Sequence, residues 1–222
     1  MNRDFDAVAF DLDGTLYPNY SLYIRLIPFI IKEHRLLRAM GKARDALRSA
    51  AHEGRFYDLQ ARIMAEILKQ DPQSVKDRTE RLIYRGWEPI FKAVKPFPGV
   101  RETLSDFKTA GIPLGLLSDF PPERKLAYLG MTDLWDAVLC SEEVGFLKPH
   151  RSPFLALARV LNVAPERILY VGNSVEYDVR GAKAVGMRTA LITLWPRKRR
   201  AQNAEADFIF SDYRQLRGYV LS

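Results

Sequence analysis

The sequence predicts an α/β fold in which a doubly wound parallel sheet carries an inserted helical cap domain. Short, continuous apolar runs such as Ala7–Phe10 are typical of strands buried on both faces of a sheet. Strand and helix patterns alternate through residues 95–222, as in parallel strands joined by helical crossovers. Residues 20–94 instead show only helical spacing of apolar residues. We therefore assign residues 1–19 and 95–222 to the core and residues 20–94 to the cap.

The first strand ends in two carboxylates, Asp11 and Asp13, followed by Gly14. Asp11 lies where the strand leaves the sheet, and Gly14 frees the backbone to turn sharply. Because ligands of open α/β sheets bind at the carboxyl ends of the strands, these acids belong to the functional edge. Paired acids there suit divalent-metal binding, carboxylate attack or acid/base catalysis. A solvated turn is the alternative for an isolated pair.

Two apolar helical faces characterise the predicted cap. One face contains Phe56, Leu59, Ile63 and Ile67, and the other contains Leu82, Ile83, Trp87, Ile90 and Phe91. Pro28 is expected to kink or begin a helix. Breaks between helices are expected at Gly41, Gly54 and Asp71–Pro72.

The stretch Leu22–Ile31 is the most apolar part of the cap, but it is too short to span a bilayer of roughly 20 apolar residues. We expect it to be cap core, with a dimer surface as the alternative. Basic residues on the cap helices are expected on solvated faces. They are Arg25, Arg35, Arg38, Arg44, Arg48, Arg55 and Arg62.

The turn-rich linker Lys95–Val100 returns the chain to the sheet. Helices are expected over residues 100–109, 122–129, 152–161 and 178–185, with Gly111 and Gly186 as helix stops. Strands are expected over residues 112–117, 137–140, 167–171, 188–194 and 207–210, followed by a short C-terminal helix.

Polar side chains follow the strands whose carboxyl ends form the predicted functional edge. Ser118 ends the second strand, Asn173 and Asp178 follow the fourth, and Lys148 lies in the loop between the third strand and the next helix. Right-handed crossovers place all these strand ends at one edge. Taken singly, Ser118–Asp119 could be a helix cap, Lys148 a solvated lysine and Asp178 a helix-dipole partner.

Together these groups suit phosphoryl transfer. Asp11 would attack phosphorus to form an aspartyl-phosphate, which water then hydrolyses. Asp13 would protonate the leaving oxygen and later deprotonate the water. Ser118 would donate to a phosphoryl oxygen, and Lys148 would neutralise charge. Magnesium, held by oxygen ligands, would let the two anions approach each other.

Composition limits the location and the partners of the chain. The 222 residues, 47% hydrophobic and 27% charged, are typical of a soluble globular protein. The single cysteine, Cys140, lies in an apolar run, so we expect a buried strand residue in a reducing compartment, the cytoplasm. We expect no secretory signal and no membrane partner. The net charge of +7 permits anionic ligands. The run Arg197–Arg200 is expected to be a solvated loop, with attraction of an anionic substrate or of nucleic acid as alternatives.

Four segments in order resemble the motifs of the haloacid dehalogenase-like superfamily, in particular its phosphatases with a helical cap. DLDGTL at 11–16 is similar to motif one, and LLSD at 116–119 is similar to motif two. SEEVGFLKPHRSPF at 141–154 resembles motif three, and YVGNSVEYDVRGAKAVGM at 170–187 resembles motif four. The resemblance spans the whole core, and the cap follows motif one as in those members.

The resemblance implies a magnesium-dependent phosphatase acting on a small phosphomonoester, with Asp11 as nucleophile, Asp13 as general acid/base and Lys148 as a third catalytic residue. The phosphate-binding residues that it implies are Ser118, Asp119 and Lys148. The Mg²⁺ ligands that it implies are Asp11, Asp13, Asn173 and Asp178. The family usually has Gly-Asp where this chain has Gly172–Asn173, so the metal site loses one negative charge.

Other functions stay open on the sequence. A metal-independent 2-haloacid dehalogenase would also use Asp11; Asn173 is compatible with it, whereas Asp13 argues against it because a halide leaves without a proton. A phosphosugar mutase and a non-catalytic binding protein are further alternatives. A nucleotide or sugar phosphate is a possible substrate, and nucleic acid is not expected as a partner. Cap closure is expected about hinges near Tyr17–Tyr20 and Lys95–Pro98.

Overall fold

Six parallel strands form one sheet in the computed structural model, which describes residues 5–48, 51, 55–193 and 205–222. They are β1 (Ala7–Phe10), β2 (Leu114–Ser118), β3 (Ala137–Cys140), β4 (Ile168–Gly172), β5 (Arg188–Ile192) and β6 (Phe208–Phe210). This sheet confirms the predicted α/β fold. β2 begins two residues later than expected because the Ile112 N–H still closes the preceding helix on Phe107 O, at 2.9 Å, and Pro113 has no N–H to donate.

The strand order β3-β2-β1-β4-β5-β6 places the first strand in the middle of the sheet. Phe10 pairs with Leu116 of β2 on one side and with Val171 of β4 on the other. After β1 the chain adds β2 and β3 on one side of this strand, and it later adds β4, β5 and β6 on the other side. The gap between the carboxyl ends of β1 and β4 is therefore the switch point at which such sheets bind ligands.

Helices fill the segment between β1 and residue 95. They are α1 (Asn19–Lys32), α2 (His34–Arg48), α3 (Phe56–Leu68), α4 (Pro72–Thr79), a π-helical turn Glu80–Tyr84 and α5 (Glu88–Phe91). We call α1–α5 with this turn the inserted helices. Apolar residues from α2, α3, α4 and the turn form a core of their own, comprising Leu36, Ala39, Met40, Ala43, Met64, Ala65, Val75 and Ile83. The boundaries of the cap at residues 20 and 94 stay a prediction.

The breaks predicted in this segment have mixed outcomes. Asp71 begins α4 as expected, since its Oδ2 accepts a hydrogen bond of 2.8 Å from Ser74 N and Pro72 follows it. Gly41 does not separate helices but lies inside α2, on an exposed face where glycine is tolerated at a cost of about 1 kcal/mol. Pro28 likewise lies inside α1 and does not begin a helix. Gly54 lies outside the described residues.

The remaining helices cover the two faces of the sheet. They are α6 (Val100–Thr109), α7 (Glu123–Leu129), α8 (Ser141–Val144), α9 (Arg151–Leu161), α10 (Arg180–Lys183) and α11 (Tyr213–Leu221). Val8 and Phe10 of β1 pack in one hydrophobic cluster with Leu104 of α6, whereas Ala7 and Ala9 pack in another with Phe154 of α9. The helix expected over 178–185 begins earlier, as a π-helical turn over Val175–Val179.

Not all arginines of the inserted helices lie on solvated faces, and the expectation is wrong for Arg44 and Arg48. Arg44 is buried, pairs with Glu142 and donates to Asp119 O at 3.0 Å. Arg48 donates to Asp119 Oδ2 at 2.7 Å and to the carbonyl of Lys148. These contacts join α2 to the loops that follow β2 and β3. A helical repeat reveals which face is apolar, but not which charged residues meet a partner from another element.

The apolar stretch Leu22–Ile31 is only partly core. Leu22 and Leu26 are buried, in agreement with the core expectation. Ile24, Ile27 and Ile31 are exposed, so the expectation is wrong for this face of α1. The helix presents one face to the protein and leaves the other uncovered in the described chain.

The two segments expected to act as hinges lie side by side, because Phe97 N donates to Leu16 O at 2.9 Å. Whether the inserted helices move about them stays a prediction.

The run Arg197–Arg200 and the end of the strand expected over 188–194 lie outside the described residues. Cys140 is buried at the end of β3, as expected. Within the described ranges, every helix falls short of the length and apolarity needed to cross a membrane.

Candidate active site

Asp11 is the first residue after β1, and hydrogen bonds to β4 and to the turn that follows β1 hold it in place. Its N–H donates to Val171 O of β4 at 2.9 Å, and its Oδ2 accepts from Thr15 Oγ1 at 2.8 Å. Thr15 is itself fixed by Tyr213, whose hydroxyl donates to Thr15 O at 2.6 Å. The carboxylate is 6% exposed, and this burial raises the pKa of Asp11 to about 7 against the opposing effect of the Lys148 ammonium.

Lys148 is buried between two acids and is not a solvated loop residue. Its Nζ lies 2.7 Å from Asp11 Oδ1 and 2.7 Å from Asp178 Oδ1. Burial by itself would lower the pKa of Lys148, but the two carboxylates raise it well above its ordinary value. The ammonium therefore stays charged, and it neutralises part of the negative charge around Asp11.

Asp178 uses both carboxylate oxygens within the protein. Oδ1 accepts from Lys148, while Oδ2 accepts from the backbone N–H groups of Asn173 and Ser174 at 3.1 and 3.0 Å. Gly172 makes this close approach possible, because a Cβ there would lie 2.3 Å from Asp178 Cβ. Asp178 thus orients Lys148 and the turn after β4.

Asp13 is more exposed than Asp11 and is bound by two residues that the sequence patterns did not reveal. Lys125 Nζ lies 2.7 and 2.6 Å from the two carboxylate oxygens of Asp13, and the Tyr17 hydroxyl donates to Oδ1. Burial, followed by the charge of Asp13, raises the pKa of Tyr17 well above its ordinary value. Lys125 lies on α7, just after the predicted phosphate-binding strand end. That position is its only sequence signal, because basic residues are common on helices.

Ser118 and Asp119 make local contacts at the end of β2. Ser118 is fully buried, and its Oγ accepts from Phe120 N at 3.2 Å, as a turn-forming serine does. Asp119 accepts from Lys148 N at 3.1 Å and from Arg48. Burial raises the pKa of Asp119, but Lys148, Arg44 and Arg48 outweigh it and hold the pKa below its usual value. The phosphate-binding role predicted for Ser118 and Asp119 stays a prediction.

The residues that could hold a metal ion supply oxygen donors only. Asn173 lies beside the turn after β1, where a Cβ on Gly14 (φ +90°) would come within 2.0 Å of the Asn173 amide nitrogen. A carboxylate oxygen of Asp11, an oxygen of Asp13 and the amide oxygen of Asn173 are ligands that Mg²⁺ accepts, together with water and a substrate phosphate. Within the described ranges, no three His, Cys, Asp or Glu side chains are grouped as a metal site. These donors are all oxygen atoms, which suit magnesium. Because Asn173 stands where the family usually has an acid, two acids remain instead of three.

A cavity of about 810 Å³ opens from these polar groups towards the inserted helices. Asp11, Asp13, Lys125 and Lys148 line its inner end. The predicted residues Asn173 and Asp178 line it as well, and so does Asp119, whereas Ser118 is not among the lining residues.

Comparison with known proteins identifies the family. A family model described as haloacid dehalogenase-like hydrolase matches residues 5–186, which is more than half of the chain. The chain belongs to this family of hydrolases.

Relatives of this haloacid dehalogenase-like hydrolase carry phosphatase names. The glyceraldehyde 3-phosphate phosphatase of Methanopyrus kandleri is 31% identical over 209 residues, covering 84% of this chain and 83% of the relative. The phosphoglycolate phosphatase of Escherichia coli is 28% identical over 214 residues, covering 87% of this chain and 84% of the relative.

Solved structures of the same fold include both phosphatases and dehalogenases. A phosphatase from Thermococcus onnurineus has a TM-score of 0.69 at 24% identity, covering 96% of this chain and 97% of that one. An L-2-haloacid dehalogenase from Xanthobacter autotrophicus with covalently bound chloropropionic acid has a TM-score of 0.68 at 20% identity, covering 98% and 99%. At these identities the likeness concerns the fold alone.

Proposed function

We propose that this hydrolase is a magnesium-dependent phosphatase that acts on a phosphomonoester through an aspartyl-phosphate on Asp11. The observation that carries the proposal is the buried Asp11–Lys148 pair at the inner end of the cavity, with Asp13 two residues further on. The phosphatase names of the relatives support it. The proposal includes a cap of residues 20–94, supported by the separate core of the inserted helices, and a cytoplasmic location, supported by the single unpaired Cys140.

In the first step an oxygen of Asp11 attacks phosphorus and the bond from phosphorus to the ester oxygen breaks. Asp13 gives a proton to that oxygen, so the substrate leaves as a neutral alcohol. In the second step water attacks the aspartyl-phosphate while Asp13 takes a proton from it. One water is consumed, and inorganic phosphate and free Asp11 are regenerated.

Lys148 and Asp178 are proposed to act as a unit. Lys148 neutralises the Asp11 carboxylate so that it can approach an anionic phosphate, and it stabilises the charge on the phosphoryl oxygens. Asp178, with both oxygens engaged, holds Lys148 in place. The Ser118 hydroxyl is proposed to bind a phosphoryl oxygen. Asp119 is proposed to fix the Lys148 loop instead of contacting phosphate.

Asp11, Asp13 and Asn173 are the residues that would hold Mg²⁺. When bound, the ion neutralises charge on the phosphoryl oxygens and lets the carboxylate approach. The fourth predicted ligand, Asp178, is proposed to hold Lys148 instead, through Oδ1, while its Oδ2 accepts from two backbone N–H groups.

A dehalogenase of 2-haloacids is the second candidate, and Asn173 is the observation that favours it. Asp11 would again be the nucleophile. Asp13 argues against this function, since a departing halide needs no proton. The experiment that separates the two is release of phosphate from a phosphomonoester panel, and of halide from 2-haloacids, each measured with Mg²⁺ and with EDTA. We expect phosphate release that EDTA suppresses; halide release without phosphate release would establish the dehalogenase instead.

Replacing Lys125 with Met should lower kcat/KM for a phosphomonoester by about ten- to a hundredfold, the usual range for partners that orient the ligands of a metal site. Lys125 binds both oxygens of Asp13, so its loss frees the acid/base residue to rotate. Lys125→Arg should recover much of the rate because it keeps the ion pair. The exposed Lys42→Met serves as the matched control. Equal rates for Lys125→Met and Lys42→Met would refute this positioning role.

A further inference from the structure

The outer part of the cavity is walled by aromatic rings that come from separate elements. They belong to α1, α7, the residues before α5, the segment after β2 and the turn after β4. The rings include Tyr23, Tyr84, Trp87, Phe120, Tyr128 and Tyr177. At about 810 Å³ the cavity lies in the upper part of the range for sites of drug-sized ligands, roughly 300–1,000 Å³. Two- and three-carbon phosphates would leave most of this space empty.

Charged groups behind the wall hold several of these rings in place. The Arg44 guanidinium lies 3.9 Å from the centroid of Phe120, and the Arg48 guanidinium lies 4.1 Å from that of Tyr177. The Tyr84 hydroxyl is turned away to Glu142, to which it donates at 3.0 Å. Phe120, Tyr177 and Tyr84 are therefore held before any ligand binds, which is the arrangement that favours stacking of a flat group.

The charges of the lining are largely paired within the protein. Lys148, Lys125 and Arg85 each pair with a carboxylate of the chain. The carboxylate that pairs with Arg85 belongs to Glu80, and Glu123 and Arg124 line the cavity as well. A carboxylate placed among the rings would lose part of its hydration, which is unfavourable. The rings thus favour a flat, apolar group at this end.

We propose that the leaving alcohol of the substrate carries a planar aromatic ring system that stacks in the outer cavity. The phosphate would lie at Asp11 and Lys148, and the ring between the inserted helices and α7. The inference rests on the proposed phosphatase function and narrows its substrate class. This substrate class differs from phosphoglycolate and glyceraldehyde 3-phosphate, after which the relatives are named.

The test compares leaving groups that are matched in size and apolarity but differ in aromaticity. Benzyl phosphate and cyclohexylmethyl phosphate are the first pair, with phosphoglycolate as the small anionic reference. Nucleoside 5′-monophosphates against ribose 5-phosphate distinguish a nucleoside from a simpler aryl alcohol. We expect kcat/KM to be at least about tenfold higher for the aromatic member, the order of a single stacking contact. Equal values for the pair, or faster hydrolysis of phosphoglycolate, would overturn the inference.

Binding of non-hydrolysable analogues separates this inference from the phosphatase proposal. Isothermal titration of benzylphosphonate and cyclohexylmethylphosphonate into the full chain needs no turnover. Tighter binding of the benzyl compound supports the inference even if no ester is hydrolysed. Equal affinity, or binding of neither, contradicts it.

Variants of the wall supply the final control. Tyr23→Leu and Tyr128→Leu should each reduce the preference for the benzyl over the cyclohexylmethyl compound several-fold. Tyr20→Leu is the matched control, because Tyr20 lies on the same helix as Tyr23 and is exposed to a similar degree (61% against 54%), but does not line the cavity. A preference that survives both Tyr23→Leu and Tyr128→Leu would place the ring elsewhere and overturn the proposed stacking site.

Discussion

Asp11→Asn is expected to reduce phosphate release to the background of the assay, a loss on the order of 10⁴-fold or more. The amide lacks the charge and the nucleophilic oxygen that form the aspartyl-phosphate. The measurement is phosphate release with Mg²⁺ from the best substrate of the panel, together with trapping of phosphorylated protein by mass spectrometry. The wild-type chain should show a mass increase of one phosphoryl group, and the variant should show none.

The matched control for Asp11→Asn is Asp6→Asn. Asp6 immediately precedes β1, and its carboxylate forms an exposed ion pair with Arg167 that contributes little to stability. Circular dichroism should show the same secondary structure for both variants. Phosphate release by a folded Asp11→Asn variant at more than about one-hundredth of the wild-type rate would contradict the nucleophile assignment.

Lys148→Met should affect both catalysis and stability. Loss of a preorganised cation at the reacting group should lower kcat by about 10²- to 10³-fold. Its removal also leaves Asp11 and Asp178 buried without their shared partner. Breaking a buried pair in this way costs about 3–5 kcal/mol in the free energy of unfolding. For a domain of this size the loss corresponds to a fall in Tm of about 10 °C.

The stability loss of Lys148→Met should grow with pH. The pKa of Asp11 is already raised by burial from 3.8 to about 7 with the ammonium present, and Lys148 is the partner that lowers it. An acid with a raised pKa in the folded state stabilises the fold at low pH, and that contribution is lost as pH rises through the folded-state pKa. Without Lys148 the folded-state pKa of Asp11 rises further, so the variant continues to lose stability at pH values where the wild-type chain no longer does. Urea unfolding in EDTA should therefore show that Lys148→Met lowers the free energy of unfolding by more at pH 8 than at pH 5. Lys148→Arg keeps the charge and should lose far less; a pH-independent deficit for Lys148→Met would contradict the buried-pair explanation.

The inserted helices contribute to the site indirectly as well as through the cavity wall. Arg48 of α2 binds the carbonyl of Lys148 and the carboxylate of Asp119, so α2 helps to hold the loop that carries the central cation. Arg44 adds a buried pair with Glu142 of α8. The position of Lys148 thus depends on contacts from both sides of the cavity, and the charge at Asp11 is coupled to the packing of α2.

Local sequence determined the strands and the acids that follow them. The run Ala7–Phe10 is apolar throughout because it is covered on both faces, and this signal needs no knowledge of distant residues. Helix α6 begins and ends where its periodicity and Gly111 predict. The strand ends then placed Asp11, Asp13 and Asn173 at one edge, since parallel strands with right-handed crossovers share that edge.

Only the tertiary structure decided which side chains meet across that edge. Lys125 binds Asp13 across 112 residues of sequence, and Arg48 binds Asp119 across 71. Periodicity could place Arg48 and Lys125 on helices, but it could not show which element those helices would face. The same holds for the exposed face of α1 and for the aromatic wall of the cavity. Local patterns report whether a residue is buried, whereas its partner is set by the packing of segments that are distant in the chain.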